Sequence, residues 1–362
     1  MAANAFVTYV IRNDSYIPGA LLLAYALRQM DTPADLVCLT TPDISARGRS
    51  SLELLFDRTI TVEPLSLSCC RDQRRQYLSQ VLSRINVLRL GSDGDLGCAY
   101  AKVVLLDADL LPLRCFDHLF ALATPAGVLN ERADYLKQTD DSRRYLTDLG
   151  QLKWGRWRWH SVYRTMGHGQ EIPSEVTDRV ASDPGNYGVN SALLVVSPNM
   201  SEYESIRDDL EKCEATRKLC AGFRWPDMQY LTMRWSGRWH NVDACFAGIG
   251  GYPSVSVLFG THFAGPKPWQ VRHKSVLRSY SRYPDFQRWY REYLGMMAEH
   301  PRLRGYDRLA RLEGSVRELI VSASVEDAPL HTGRAATTSP ASREHTRRTA
   351  GRRGASDTRR HH

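Results

Sequence analysis

The first 113 residues alternate between short runs rich in β-branched and aromatic residues and longer stretches with apolar residues at helical spacing. "AFVTYVI" (5–11) reads as a strand and stops at Asn13-Asp14, a turn or helix-cap signal. "YIPGALLLAYALRQM" (16–30) reads as a helix, and "DLVCLTT" (35–41) as a second strand. A helix over 50–58, a third strand "TITVEPL" (59–65) and an amphipathic helix "YLSQVLSRINVLRL" (77–90) follow. "AKVVLLDADLLPL" (101–113) is the expected fourth strand. This alternation predicts an α/β fold whose central sheet is mostly parallel and flanked by helices. Ligands on such sheets gather at the carboxyl ends of the strands.

Beyond this region the pattern loosens. "NYGVNSALLVVSP" (186–198) predicts a strand, "WPDMQYLTMRW" (225–235) a helix start, and "VSVLFGTHFAGPKPW" (255–269) a strand running into a Gly/Pro loop. Apolar residues from Phe286 to Leu319 recur at helical intervals, which predicts C-terminal helices over about 284–320. Residues 131–185 read as an insertion, with Trp154, Trp157 and Trp159 set among arginines. One folded domain is therefore expected over 1–321 and a disordered tail over 322–362, where little can be buried. From His331 onward eight arginines face one glutamate and one aspartate, a surplus of six out of the formal +8. The body is thus near neutral, and any attraction to acidic partners belongs to the tail. The eight cysteines show no CxxC pair or metal-ligand spacing and are expected as reduced thiols. No uninterrupted apolar stretch is long enough for a membrane span, and no signal peptide is legible, so the cytoplasm is the expected compartment.

The sharpest chemical signal is the pair Asp107 and Asp109, which interrupts an apolar run. Carboxylates at such a position are costly unless a cation meets them. On an extended segment, side chains two residues apart point the same way, so the two oxygens would lie close and favour a hard divalent ion. An Asp-x-Asp triplet also serves as a helix cap, so the pair alone leaves both readings open.

"YAKVVLLDADLLPL" resembles the metal-binding strand of glycosyltransferase family 8, the glycogenin-like and galactinol-synthase-like nucleotide-sugar transferases. "FVTYVIRNDSYIPGALLL" (6–23), "NYGVNSALLVVSP", "WPDMQYL" (225–231) and "THFAGPKPW" (261–269) resemble further family segments in the family's order. The resemblance implies a GT-A type fold. It implies that Asp107, Asp109 and His262 hold a metal ion, Mn²⁺ or alternatively Mg²⁺, with Ala108 between the aspartates at the donor. Gly265 and Lys267 would face the diphosphate, together with Arg75 and Arg84. Tyr9, Asn13 and Tyr16 would form the uracil and ribose pocket. Asn190, Ser191, Asp227 and Gln229 would hydrogen-bond the hexose, with Asp227, Asn190 and Gln229 as the catalytic set.

The implied function is metal-dependent, retaining hexosyl transfer from a UDP-sugar, UDP-glucose or UDP-galactose, to a carbohydrate, polyol or protein acceptor. Galactinol-synthase-like transfer to a small polyol and a non-catalytic scaffold with an Arg-rich tail stand as alternatives. Homodimer formation stays open. Arg224 stands where the family carries an acidic residue near the sugar, and Tyr252, in the region of the self-glucosylated tyrosine, sits beside a proline. Self-glucosylation is therefore not expected. The tryptophans of the insertion could stack on an acceptor sugar or pack on the domain.

Overall fold

The computed structural model describes residues 3–65, 73–129, 166–182, 186–251, 254–270, 280–281 and 283–326, the backbone alone for 73–79 and 321–326. The insertion tryptophans, Tyr252 and the tail beyond Glu326 lie outside the described residues, as does the Arg75 side chain. Met1–Glu326 forms one compact unit.

Seven strands make the central sheet in the order β3-β2-β1-β4-β7-β6-β8. They are β1 (Asn4–Val10), β2 (Asp35–Thr40), β3 (Arg58–Thr61), β4 (Lys102–Leu106), β6 (Ala126–Leu129), β7 (Val189–Val196) and β8 (His240–Asn241). β7 pairs antiparallel with both β4 and β6, and the other pairings are parallel. The sheet is thus mostly parallel, as expected. The direction of β7 is invisible in its unbroken apolar run "ALLVV", which either orientation would bury.

The core explains why these strands read as apolar runs. Along β4, Val103 and Leu105 enter one hydrophobic cluster, Val104 and Leu106 the other, on the opposite face. One face is covered by α1 (Ile17–Arg28) and by the helices Pro284–Glu299 and Asp307–Glu326; the other by residues 82–90 and the helices Met200–Lys212 and Pro226–Arg234. Strands covered on both faces lose the alternation of a half-exposed sheet.

Three expectations need correction. The helix expected over 50–58 is α2, Ala46–Leu52, set earlier because the Ser45 side chain caps the Gly48 amide at 3.0 Å. The segment Gln73–Leu90 winds as a 3-10 helix. There Arg84 Nε donates to the Val81 carbonyl and Asn86 Nδ2 to the Ser83 carbonyl, side-chain bonds that compete with an α-helical ladder. Finally, "AKVVLLDADLLPL" is not one strand. β4 ends at Leu106, the Leu110 amide donates to the Asp107 carbonyl at 2.9 Å, and the chain turns into β5 (Leu110–Pro112) of a second sheet. That sheet has the order β5-β10-β9, with β9 at Gly248–Ile249 and β10 at Gly260–His262.

The strand order defines where a ligand crevice opens. β1, β2 and β3 step outward to one side, and β4 returns to the other side of β1, so the order reverses between β1 and β4. Crevices form at such reversal points, outside the carboxyl ends of the strands. Tyr9 and the Asp107–Asp109 turn stand at those ends.

Candidate metal and donor site

The turn brings the two aspartates together, in place of the strand alternation expected. The second sheet supplies the third group. β10 runs antiparallel to β5 with His262 opposite Leu110, and the Phe263 amide donates to the Asp109 carbonyl at 2.9 Å. This backbone register closes the long sequence gap between the aspartates and His262.

One ligand atom from each of Asp107, Asp109 and His262 lies within 4.8 Å of the others. Asp107 Oδ1, Asp109 Oδ1 and His262 Nδ1 are buried and lack a hydrogen-bond partner. Buried polar atoms are normally satisfied, so the two carboxylate oxygens suit a cation, and the imidazole that closes the cluster faces Asp109 Oδ1 with its Nε2 at 3.3 Å. Two carboxylates and an imidazole match a hard or borderline divalent ion. The residues fit the metal that the sequence implied.

Among the described residues, Arg84 and Lys267 stand as cations beside this cluster. Arg84 is nearly fully buried; it donates to the Tyr9 hydroxyl and the Ser191 carbonyl, and pairs with Asp227 Oδ2 at 3.0 Å and Asp107 Oδ1 at 3.4 Å. Burial alone would lower its pKa, but Asp227, Tyr9 and Asp107 outweigh it and hold the guanidinium charged. Lys267 donates to Asp109 Oδ2 and to the Phe263 carbonyl. The carboxyl groups respond in opposite senses. Burial raises Asp107, with Arg84 pulling back only in part; burial would raise Asp109 as well, but Lys267 and His262 bring it below the usual carboxylate range.

The residues expected at the hexose join the cluster through Arg84. Between Gly127 and Val128 the pairing of β6 jumps from Leu194 to Asn190 of β7, an irregularity that re-aims the strand at the crevice. The Ala192 carbonyl there accepts from the Asp107 amide. Ser191 Oγ donates to Asp227 Oδ2 at 2.6 Å, and Asp227 lies in the first turn of the helix Pro226–Arg234. Tyr16 meets Trp269 edge-on at 5.6 Å and lies 5.9 Å from Lys267 Nζ.

No protein-family model matches the chain. The uncharacterized protein R707 of Acanthamoeba polyphaga mimivirus is 26% identical over 281 residues, covering 74% of this chain and 83% of that protein. Glycogenin-1 of Oryctolagus cuniculus is 37% identical over 123 residues, 33% of this chain and 34% of that protein. Galactinol synthase 4 of Arabidopsis thaliana is 25% identical over 211 residues, 58% of this chain and 55% of that protein. The chain is similar to glycogenins over a third of its length and to the galactinol synthase over more than half. It spans about a third of the glycogenin and about half of the galactinol synthase. The solved galactosyltransferase LgtC, in complex with donor and acceptor sugar analogs, gives a TM-score of 0.47 at 14% identity, over 78% of this chain and 94% of that one.

The structure gathers Asp107, Asp109, His262, Lys267, Arg84, Tyr9, Ser191 and Asp227 into one contact network. Asn190 is buried beside Ser191, and its side-chain oxygen accepts the Ala192 amide. Gln229 shares the helix of Asp227, but its amide bonds the Asn186 carbonyl and the Trp225 amide. Asn13 is exposed and caps the turn at Ser15. Gly265 is half-buried in the loop after β10.

Ala108 has a part the sequence did not suggest. A Cβ on Gly19 of α1 would collide with the Ala108 carbonyl and come within 2.6 Å of the Trp269 ring. Gly19 therefore lets the helix approach both the aspartate turn and the end of the "KPW" loop. The available signal was a glycine inside the otherwise apolar "IPGALLL", where alanine would make the better helix.

Proposed function

We propose that this chain is a metal-dependent hexosyltransferase that takes UDP-glucose or UDP-galactose as donor and retains anomeric configuration. The observation that carries the reading is the convergence of Asp107, Asp109 and His262 at the reversal point between β1 and β4. The similarity to glycogenins and a galactinol synthase supports the nucleotide-sugar chemistry. Mn²⁺ is the proposed ion, because one of the three groups is an imidazole.

Asp107, Asp109 and His262 would hold the ion, which when bound neutralises the charge that develops on the departing diphosphate. Lys267 adds a positive charge at the same place, and the Gly265 backbone gives the loop room. Arg84 fixes Tyr9 and Asp227 relative to Asp107, so the base pocket and the sugar pocket keep one spacing. Ser191 and Arg84 take Asp227 Oδ2, and Oδ1 is assigned to a hexose hydroxyl. With no evident covalent nucleophile, the acceptor hydroxyl attacks on the face the diphosphate leaves, and the leaving phosphate takes its proton. Transfer to a small polyol is the second reading, favoured by the longer stretch shared with the galactinol synthase than with the glycogenin. Self-glucosylation forms no part of the proposal. Among the described residues no helix is long and apolar enough to cross a membrane.

The test is release of UDP from UDP-glucose or UDP-galactose with Mn²⁺, alone and with polyol, oligosaccharide and polypeptide acceptors. Release that stops on chelation is expected. Its absence with every donor and acceptor would favour the scaffold reading.

A further inference from the structure

Asp109 already holds a cation of the protein's own. Its Oδ2 accepts from Lys267 Nζ, while its Oδ1 stands 3.3 Å from His262 Nε2. The Asp109 and Lys267 side chains are only 8% and 9% exposed. Pro266 and Pro268 flank Lys267, and its Nζ also reaches the Phe263 carbonyl. The ammonium thus sits on a carboxylate that belongs to the metal cluster.

Arg84 and Lys267 differ in what holds them. Arg84 spreads its fork over Tyr9, Ser191, Asp107 and Asp227, and so belongs to the framework. Lys267 presents one point charge on a flexible stem. A divalent ion arriving at Asp109 would face that ammonium across one carboxylate, in a buried place where like charges repel strongly. Removing the lysine from Asp109 with no anion to receive it would leave a buried charge unpaired, which is costly. A diphosphate removes this cost by accepting the displaced ammonium.

We infer that Lys267 is a resident counter-ion that competes with the divalent cation for Asp109 and moves onto the diphosphate when both ligands are present. This deepens the functional reading above and rests on it. The consequence is a coupling: the cation binds weakly alone and tightly with a diphosphate, and the dependence runs equally in both directions.

The test uses the full chain and Mn²⁺ alone, with free Mn²⁺ followed by its electron paramagnetic resonance signal, without and with inorganic pyrophosphate. Wild type should bind Mn²⁺ weakly until pyrophosphate is added. Lys267→Met should bind Mn²⁺ alone about tenfold more tightly, and the enhancement by pyrophosphate should shrink by a similar factor. Lys267→Gln, which can still donate to the Phe263 carbonyl, covers the case in which the methionine variant fails to fold, and should behave alike. Mn²⁺ should also raise the melting temperature of either variant more than that of wild type. Mn²⁺ affinity unchanged or weaker in the folded variants, without pyrophosphate, overturns the counter-ion role alone. Mn²⁺ binding that Asp109→Asn leaves untouched in the presence of pyrophosphate overturns the functional reading as well.

Discussion

The Phe263 amide donates to the Asp109 carbonyl at 2.9 Å, so the residue after His262 is tied by backbone to the second aspartate of the turn. Two of the proposed metal ligands, from distant parts of the chain, are therefore placed by backbone register. The surrounding packing decides whether that register survives, and it can be probed at single positions.

Gly19 is the first such position. A methyl group there has no room between the Ala108 carbonyl and the Trp269 ring. Gly19→Ala should cost about 1–3 kcal/mol of stability, as overpacked cores do. Any folded remainder should bind Mn²⁺ and UDP more weakly, because the aspartate turn has shifted. Chemical denaturation and a binding titration measure both effects. A variant as stable as wild type would show that the contact yields easily.

Arg84 is the second. Its removal leaves Asp227 buried beside Ser191 without its charge partner. Arg84→Met should destabilise by about 3–5 kcal/mol, the range for breaking a buried pair. Asp227→Asn in the same background should then cost less than it does alone. Additive costs in the double-mutant cycle would mean that the two do not interact.

Asp285, in the first turn of the helix Pro284–Glu299, gives a pH signature away from the site. Burial raises its pKa to about 7, and the backbone amides of Asp285 and Phe286 offset this only in part. The folded state therefore holds this proton more tightly than the unfolded chain, where the carboxyl titrates near 3.8. Its contribution to stability is full below about pH 4 and falls away as pH rises through 7. Asp285→Asn should be more stable than wild type at pH 8 by about 1–3 kcal/mol and nearly equal at pH 4. Melting curves at both pH values check this, and a constant difference between them would contradict it.

Glu313 shows the opposite sign. Bonding to Arg304 and Arg317 lowers its pKa to about 2. The stability it provides is present above its ordinary value of 4.5 and is lost as pH falls toward 2. Glu313→Gln should lower the melting temperature at pH 7 and shrink the drop between pH 5 and pH 2. Parallel curves for the two proteins would refute the assignment.

The residues proposed to carry chemistry were legible because their types are unusual where they stand. Asp107 and Asp109 break an apolar run, and "THFAGPKPW" compresses histidine, glycine, lysine and prolines into one loop. The break between two sheets was not legible, because Leu110 and Leu111 resume the apolar pattern at once and periodicity cannot see a strand change partners. Arg84 was expected to face the diphosphate. Its bonds to Tyr9, Ser191, Asp107 and Asp227 join it to four other segments, partners that no local pattern announces. The antiparallel β7 stayed hidden for a similar reason, since burial on both faces fixes composition but leaves direction open.

Calorimetric titration of Mn²⁺ into the protein with UDP present bears most directly on the central claim, that Asp107, Asp109 and His262 form one metal centre. Wild type should bind one ion per chain, and Asp107→Asn, Asp109→Asn and His262→Ala should each weaken it by about tenfold or more while remaining folded. Equal Mn²⁺ affinity in wild type and all three variants would contradict the account.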